Sequence, residues 1–461
     1  MSVKDIFQKK IKSNFFLRSV LTVTSGTALS QLIVILVSPL ITRLYSPTDM
    51  GILASYTAIT SILGTVIAGC YNQAVVLPDT KRQTNAVVFL GVLIAAVGCG
   101  VITLVTIIFD DALINLLNLQ SIQKIWFYLL GVFVFFIGAD SVLNQYAIKN
   151  AHFKLIATTQ VTQQIATNGL KVLLGFCKFE TFGLLASMLL GQIIRVIRLF
   201  VTEFKNLFGI KDDIPSKADV KYVMGRYKKF PLISSWSALL NASSVQLPVI
   251  LFSSFFSPAV AGAYSLGHKI LSLPISLISS SVNNVFLEKM SKIKEDRNQL
   301  GESAYIITKK MIFISAVGMS IITIHGKFLF SFVFGKDWAL AGEYAQWLSI
   351  WLLFVFVSSP LTTLFIILEK QGSFLFVNIV LFVSRFLSIV LCTDNIESAD
   401  NAIIVFSITG AIVWIGISIY IFKLLQIKII KALKLFIVYP MLVYVFHFAL
   451  ILLIRGILWH L

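Results

Sequence analysis

Residues 18–51 read RSVLTVTSGTALSQLIVILVSPLITRLYSPTDMG and contain one long apolar segment, residues 18–45, followed by Ser46-Pro47. A helix needs about 20 mostly apolar residues to cross the hydrocarbon of a bilayer. Pro47 suits the first turn of a second helix, because that position needs no backbone N–H. The apolar segment is too long for the core of a signal peptide and lacks a small-residue cleavage pattern. We therefore interpret it as an uncleaved first membrane span.

The rest of the chain repeats this pattern. Of its 461 residues, 57% are hydrophobic and 13% are charged, whereas soluble domains average about 45–50% apolar and about 25% charged residues. The composition predicts an all-α polytopic membrane protein with about 12–14 transmembrane helices. We predict thirteen spans, at residues 18–45, 50–77, 84–109, 124–148, 152–176, 182–203, 229–256, 260–287, 304–334, 339–369, 373–392, 401–426 and 434–459.

The net charge of +17 reflects membrane topology. Most of the 38 Lys and Arg residues stand at the ends of apolar segments. If the N-terminus is cytoplasmic, most of them lie on the cytoplasmic side. Nucleic-acid binders instead concentrate basic residues on one accessible face, so we expect no nucleic-acid partner. The positive-inside rule predicts a cytoplasmic N-terminus in a bacterial inner membrane. The link between the eleventh and twelfth spans agrees, because it carries Asp394, Glu397 and Asp400 without Lys or Arg.

The two halves of the chain resemble each other. Ser46-Pro47-xxx-Gly51 follows the first span, and Ser257-Pro258-xxx-Gly262 follows the seventh, 211 residues later. A six-helix repeat of this kind lets two bundles rock about a cleft and open it to alternate sides. We predict a cytoplasmic basic segment, a six-helix lobe, a cytoplasmic linker, a second six-helix lobe and an extra transmembrane helix, at residues 1–17, 18–204, 205–228, 229–426 and 427–461.

Two cations lie deep inside predicted spans. Lys269 lies about nine residues into the eighth span, and Arg385 lies near the middle of the eleventh. A charge at the bilayer centre costs about 2.5–3.5 kcal/mol on insertion scales, so it needs a partner or a water-filled cavity. A cavity position would let Lys269 and Arg385 bind a phosphate. Alternatively, each forms a buried ion pair that holds helices together, with Asp140 among the available acids.

Weaker candidates lie in the first half. Arg43 closes the first span, where it either faces the cavity or snorkels to the interface. Asp140 in the fourth span is our ion-coupling candidate, with a salt-bridged structural acid as the alternative. Tyr71, Asn72 and Gln73 carry groups that can bind sugar hydroxyls, but such groups also join helices. Lys171, Arg195 and Arg198 lie closer to span ends and fit interfacial anchoring better.

Motifs of metal binding and catalysis are missing from the sequence. The four cysteines stand singly, and no HExxH or CxxC pattern occurs. No long outer loop carries paired carboxylates, and no Gly-rich phosphate loop follows a strand. We expect a protein that has no cofactor or bound metal and is not an enzyme.

Several motifs resemble the Wzx-type O-antigen and polysaccharide repeat-unit flippases of the multidrug/oligosaccharidyl-lipid/polysaccharide exporter superfamily. The resemblance covers the first eight spans. The residues that carry it are 25–31 (SGTALSQ), 38–47 (SPLITRLYSP) with Gly51, 74–78 (AVVLP), and 262–286 with Tyr264, Pro274 and Val285-Phe286.

The resemblance implies two six-helix lobes around a central cavity with a basic surface. That cavity would accept the pyrophosphate and sugars of an undecaprenyl-linked oligosaccharide of O-antigen, lipopolysaccharide or capsule type, while the lipid tail stays among the membrane lipids. Arg43 and Lys269 occupy places where such flippases carry cavity cations. The implied partners are a coupling cation, either proton or sodium, a polysaccharide polymerase and a chain-length regulator.

Two other functions are kept as alternatives. A multidrug-type cation antiporter should line its cavity with acids instead of Lys269 and Arg385. A membrane polysaccharide polymerase or ligase should carry a sizeable outer loop with catalytic residues, and the predicted outer loops are short. The sequence therefore favours a flippase that transports a lipid-linked oligosaccharide from the cytoplasmic to the periplasmic leaflet by alternating access.

Overall fold

The computed structural model describes residues 15–116, 124–209, 213–293, 296–395 and 398–459. Regular secondary structure within these ranges is helical throughout, with no β-strand. The all-α prediction is therefore confirmed for the described chain. The predicted basic segment up to residue 14, and Glu397 of the acidic link, lie outside the described residues.

The chain forms two compact units, Met1–Ala259 and Val260–Leu461. The first unit contains eleven α-helices among its described residues, and a π-helical turn, Phe230–Ser234, leads into the last of them. They are α1 (Phe15–Leu44), α2 (Pro47–Val66), α3 (Tyr71–Ala74), α4 (Lys81–Ile108), α5 (Asp110–Leu116), α6 (Lys124–Tyr128), α7 (Leu130–Lys149), α8 (Phe153–Phe176), α9 (Glu180–Phe208), α10 (Lys217–Arg226) and α11 (Ser235–Phe255).

The second unit begins with the helix that follows Ser257. A 3-10 turn, Lys336–Trp338, and a π-helical turn, Lys434–Val438, interrupt its α-helices. Those described are α12 (Pro258–Lys292), α13 (Arg297–Phe334), α14 (Ala339–Thr362), α15 (Leu364–Ile367), α16 (Gln371–Asn395), α17 (Ala399–Leu424), α18 (Ile429–Leu433) and α19 (Tyr439–Trp459).

Each of the thirteen predicted spans overlaps a long helix, but the spans predicted at 50–77 and 339–369 extend past the ends of α2 at Val66 and of α14 at Thr362. Ten described segments are long and apolar enough to cross a membrane. The other three predicted spans correspond to α2, α8 and α12, which have 20, 24 and 35 residues and are therefore also long enough. The protein is therefore a multi-pass membrane protein.

The Ser-Pro elements start helices in both units. Ser46 caps α2 by accepting a hydrogen bond from the Asp49 backbone N–H at 3.1 Å, and Asp49 accepts one in return from the Ser46 N–H at 3.1 Å. This reciprocal pair satisfies two N–H groups that a helix start leaves without partners. Pro258 likewise opens α12. The helices before them, α1 and α11, each contain an internal proline, Pro39 and Pro248.

Small residues allow close helix packing in the first unit. A Cβ atom placed on Gly26 of α1 would lie 2.6 Å from the Cβ of Ala157 in α8. Without a hydrophobic driving force between helices in lipid, such close backbone contact is a main source of association. An apolar core cluster of the same unit includes Tyr56, whose hydroxyl donates to the Trp126 carbonyl at 3.1 Å.

The predicted linker, residues 205–228, holds the short helix α10. Its N-cap, Ser216, forms a capping box with Asp219, and Arg82 of α4 contacts the Asp219 carboxylate at 2.7 Å. The hydrogen bonds from Ser216, together with Arg82, hold the pKa of Asp219 below its usual value. The segment is therefore fixed to α4. The boundary between the compact units lies after α11 because α11 packs against α2 within the first unit.

In the second unit, α13 is packed between α14 and α19. The Gly326 and Gly342 backbones approach so closely that a Cβ on Gly342 would lie 2.5 Å from the Gly326 carbonyl oxygen. Between α13 and α19, His447 Nδ1 lies 2.9 Å from Ser320 Oγ, and the hydroxyls of Tyr444 and Thr323 lie 3.1 Å apart. These polar contacts attach the last helix to the unit.

Candidate functional site

Lys269 is an exposed cation on α12. It forms no ion pair with any residue that the structure describes. The predicted alternative, a buried ion pair, is therefore not found among the described residues. An ammonium group in this position can bind an anion without first breaking a salt bridge.

Arg385 of α16 is half-buried beside an aromatic stack, which consists of Tyr264, His268 and Trp351. The His268 ring is nearly parallel to Tyr264, at 5.6 Å and 16°, and to Trp351, at 5.7 Å and 25°. The Arg385 guanidinium carbon lies 5.9 Å from the centre of the Trp351 ring. Such cation–π contacts contribute about 0.5–2 kcal/mol. The aromatic stack, which is formed by residues of α12 and α14, therefore holds the Arg385 side chain in place.

Packing around Trp351 makes the stack rigid. Trp351 is only 5% exposed, and its ring packs edge-on against Phe406 at 5.0 Å. Gly410 of α17 leaves room for the indole, because a Cβ there would lie 2.7 Å from the Trp351 ring. Sequence patterns did not predict this arrangement, because its members are spread over more than a hundred residues and belong to no motif.

Arg43 is exposed in the last turn of α1 and has no ionic partner among the described residues. A cation in the last turn of a helix is stabilised by the negative end of the helix dipole. Arg43 belongs to the first unit, whereas Lys269 and Arg385 belong to the second. The structure therefore brings Lys269 and Arg385 into one unit.

Asp140 forms an ion pair with Arg195. Its Oδ1 lies 2.8 Å from Arg195 Nε, and both side chains are 16% exposed. This contact matches the structural alternative that the sequence left open for Asp140. Arg195, predicted as an interfacial anchor, instead points at the acid.

Amides from three helices complete a polar cluster, which consists of Asp140, Asn144, Gln163, Gln192 and Arg195. Arg195 donates to Gln163 Oε1 at 3.1 Å and to Asn144 Oδ1 at 3.5 Å. Gln163 donates to Gln192 Oε1 at 2.6 Å. The cluster therefore joins α7, α8 and α9 inside the first unit.

A sequence signal for this polar cluster was present. Residues 157–168 of α8 read ATTQVTQQIATN, with eight Thr, Gln and Asn residues in one membrane-length helix. Polar side chains inside a membrane protein face one another or a cavity. The composition of α8 would have indicated a polar environment for Asp140, although it could not identify Arg195 as the partner.

The three candidate sugar contacts differ in access. Tyr71 is 1% exposed and belongs to an apolar core cluster, whereas Asn72 is half-buried and Gln73 is exposed. Gly69 and Cys70 both have left-handed backbone conformations and form the turn that precedes α3. The short helix α3 carries the three candidate residues. Asn72 and Gln73 are therefore the two that can reach a ligand in this conformation.

Comparisons with known proteins agree with this architecture. A family model described as "Polysaccharide biosynthesis protein" matches residues 40–342. The succinoglycan biosynthesis transport protein ExoT of Rhizobium meliloti (strain 1021) is 22% identical over 308 residues, which are 66% of this chain and 59% of that protein. The chain thus matches less than two thirds of the length of this relative.

Two solved structures share the fold. One is the lipid II flippase MurJ in an inward closed conformation, with a TM-score of 0.71 at 15% identity, covering 95% of this chain and 96% of that chain. The other is a multidrug resistance MATE family transporter of the MOP superfamily, inward-facing, with a TM-score of 0.66 at 13% identity, covering 88% and 96%. Because the family model covers more than half of the chain, the chain belongs to the polysaccharide biosynthesis protein family, and its fold is that of the MOP-superfamily transporters.

Proposed function

We propose that this protein is a flippase for undecaprenyl-pyrophosphate-linked oligosaccharide repeat units, of O-antigen or capsule type. It would transport them from the cytoplasmic to the periplasmic leaflet of the bacterial inner membrane, with its N-terminus in the cytoplasm. The family assignment and the transporter fold support a role in moving polysaccharide precursors. The observation that carries the proposal is the Lys269 ammonium, which is exposed on a membrane-length helix and has no ionic partner among the described residues.

The chemistry of Lys269 fits an anionic head group. A hydrogen bond to a charged group contributes about 1.5–3 kcal/mol, which is comparable to the cost of placing a lysine in the membrane. A pyrophosphate therefore supplies the partner that the described structure lacks. Arg385, held by Trp351, and Arg43 are the further cations that we assign to substrate binding.

A cation exporter fits these residues less well. Such a transporter needs an available acid for its substrate, and Asp140 is already neutralised by Arg195 at 2.8 Å. The charges that remain accessible at the candidate residues are positive. We assign Asp140 a role in ion coupling, since a membrane carboxylate can take up a proton or sodium in exchange for its arginine partner.

Transport would follow the rocking of two helical lobes. The head group would bind from the cytoplasmic side, the inner side would close, and the outer side would open for release. No bond in the substrate changes, so we propose a transporter without enzymatic activity. The gradient of the coupling cation would reset the inward-facing state.

Substitution of Lys269 tests the proposal. In a deletion strain, the Lys269→Ala variant should accumulate complete lipid-linked repeat units on the cytoplasmic leaflet and lose surface polysaccharide, because the head group is no longer bound. Lys269→Arg should restore most of the polymer, since it keeps the charge. Quantitative analysis of lipid-linked glycans, surface polymer and membrane abundance provides the measurement.

Lys370→Ala is the matched control, because Lys370 is also exposed but lies in the turn before α16. This variant should support normal polymer synthesis. Normal polymer with Lys269→Ala would contradict the proposed role of Lys269. Accumulated units already on the periplasmic leaflet in the deletion strain would contradict the flippase function itself.

A further inference from the structure

A long groove runs between α13 and α19 in the second unit. Its volume is about 940 Å³, at the upper end of the range of about 300–1,000 Å³ for small-molecule sites. The walls are mainly apolar side chains, and several are more than half exposed. The residues that line most of its length are Phe313, Ile314, Val317, Leu442, Val443 and Phe446.

Positive charge is confined to one end of this groove. Lys309 and Lys310 line it there, and both are exposed. The Lys309 ammonium lies 4.8 Å from the centre of the Tyr439 ring, which closes the same end. The acid one to two turns away, Glu302, is paired with Lys431 at 2.7 Å and does not neutralise these lysines.

The dimensions of the groove match one leaflet. It extends along α13 from Ile306 to Val317, which is about 16 Å at about 1.5 Å per residue. The hydrocarbon core of a bilayer is about 30 Å thick, so one leaflet is about 15 Å. Beyond Lys310 the apolar wall continues to Val317 for about 10 Å. Ammonium groups near one end, followed by apolar wall along most of one leaflet, fit a lipid whose phosphate lies at the interface.

Both helices enter the membrane from the side that the charge pattern assigns to the cytoplasm. Lys309 and Tyr439 lie near the start of their apolar runs, and Thr323 and Tyr444 meet further along, so α13 and α19 run in the same direction. The cytoplasmic leaflet contains anionic lipids that attract basic side chains at its surface. Lys434, which precedes α19, adds positive charge at this end.

We propose that this groove is a binding site for one anionic phospholipid of the cytoplasmic leaflet. The lipid phosphate lies between Lys309 and Lys310, beside Tyr439, and the acyl chains follow the apolar wall toward Val317 and Phe446. By filling the groove, the lipid joins α13 to α19. The site does not depend on the transport function, because none of its residues belongs to the candidate substrate site.

The test compares the intact protein in nanodiscs of phosphatidylglycerol and of phosphatidylcholine. Two lysine ammonium groups predict about thirtyfold preference for the anionic lipid, seen as a higher Tm and as one retained phosphatidylglycerol by native mass spectrometry. The Lys309→Gln/Lys310→Gln variant should lose both effects and keep the wild-type Tm in phosphatidylcholine. Lys423→Gln, an exposed lysine at the end of α17 outside the groove, is the control and should retain both.

A second variant addresses the apolar wall. Val317→Trp fills the groove without changing charge, so it should also remove the retained lipid. Retention of phosphatidylglycerol by both variants would overturn the proposal. Displacement of phosphatidylglycerol from the wild-type protein by equimolar undecaprenyl phosphate would also overturn it, because the groove would then belong to the polyprenyl substrate.

Discussion

Asp140 and Arg195 form an ion pair inside the first unit. The acid can therefore act in stability as well as in the proposed ion coupling. Each side chain is 16% exposed, and amides from α7, α8 and α9 surround the pair. Removal of one partner from a buried pair costs about 3–5 kcal/mol, because the other charge remains without compensation. A single substitution of Asp140 therefore disturbs stability and coupling together.

A double substitution distinguishes these effects. We expect Asp140→Asn to lower membrane abundance, and we expect Asp140→Asn/Arg195→Gln to restore it, because no charge is left unpaired. If Asp140 couples transport to an ion, the double variant should still lack a response of polysaccharide export to ionophores. The measurement is surface polymer against ionophore concentration at matched protein level. A wild-type response in the double variant would leave Asp140 with a structural role only.

At the scale of helices, close backbone approach determines how α13 and α14 pack. A Cβ on Gly342 would lie 2.5 Å from the Gly326 carbonyl oxygen and 2.7 Å from the Lys327 Cα, and neither backbone atom can rotate away. Gly318, also on α13, has open space around it. An added methyl group would therefore clash with backbone atoms at Gly342 and would meet no atom at Gly318.

We expect Gly342→Ala to destabilise the protein by about 1–3 kcal/mol through overpacking, despite the better helix propensity of alanine. Gly318→Ala is the matched control and should leave the Tm unchanged or raise it slightly. Thermal unfolding in detergent measures both variants. Equal Tm values for the two would mean that α14 can shift away from α13 without cost.

For the whole molecule, the charge pattern predicts the orientation in the membrane. Chemical labelling of a cysteine tests that orientation directly. The four cysteines are free, and Cys177 is the exposed one, between α8 and α9. A cytoplasmic N-terminus places this link in the periplasm. Cys70 and Cys392 are buried and give little background.

A membrane-impermeant maleimide should therefore label the protein in intact spheroplasts, and Cys177→Ser should abolish most of that labelling. The readout is a mass shift of the purified protein. Labelling that appears only after the membrane is permeabilised would invert the proposed topology. Cys177→Ser should support normal polymer synthesis, since the thiol has no role in the candidate site.

Much of the helical architecture was predictable from local sequence. The membrane spans follow from apolar length and the helix starts from Ser46-Pro47 and Pro258, because solvent preference and backbone geometry act over a few residues. The same reasoning identified Lys269, since a lysine deep in an apolar run is costly and needs a reason. The family assignment also followed, because the motifs near Arg43 and Tyr264 resemble those of flippases and the family model covers residues 40–342.

Contacts between side chains that are distant in sequence could be identified only from the tertiary structure. The sequence alone determined which segments enter the membrane and which charges lie within them. Only the folded chain decided that Arg195 pairs with Asp140, that His268 and Trp351 stack beside Arg385, and that Tyr71 is buried in the core. The physical reason is that apolar preference is a property of each residue, whereas a contact between side chains depends on the packing of helices distant in sequence.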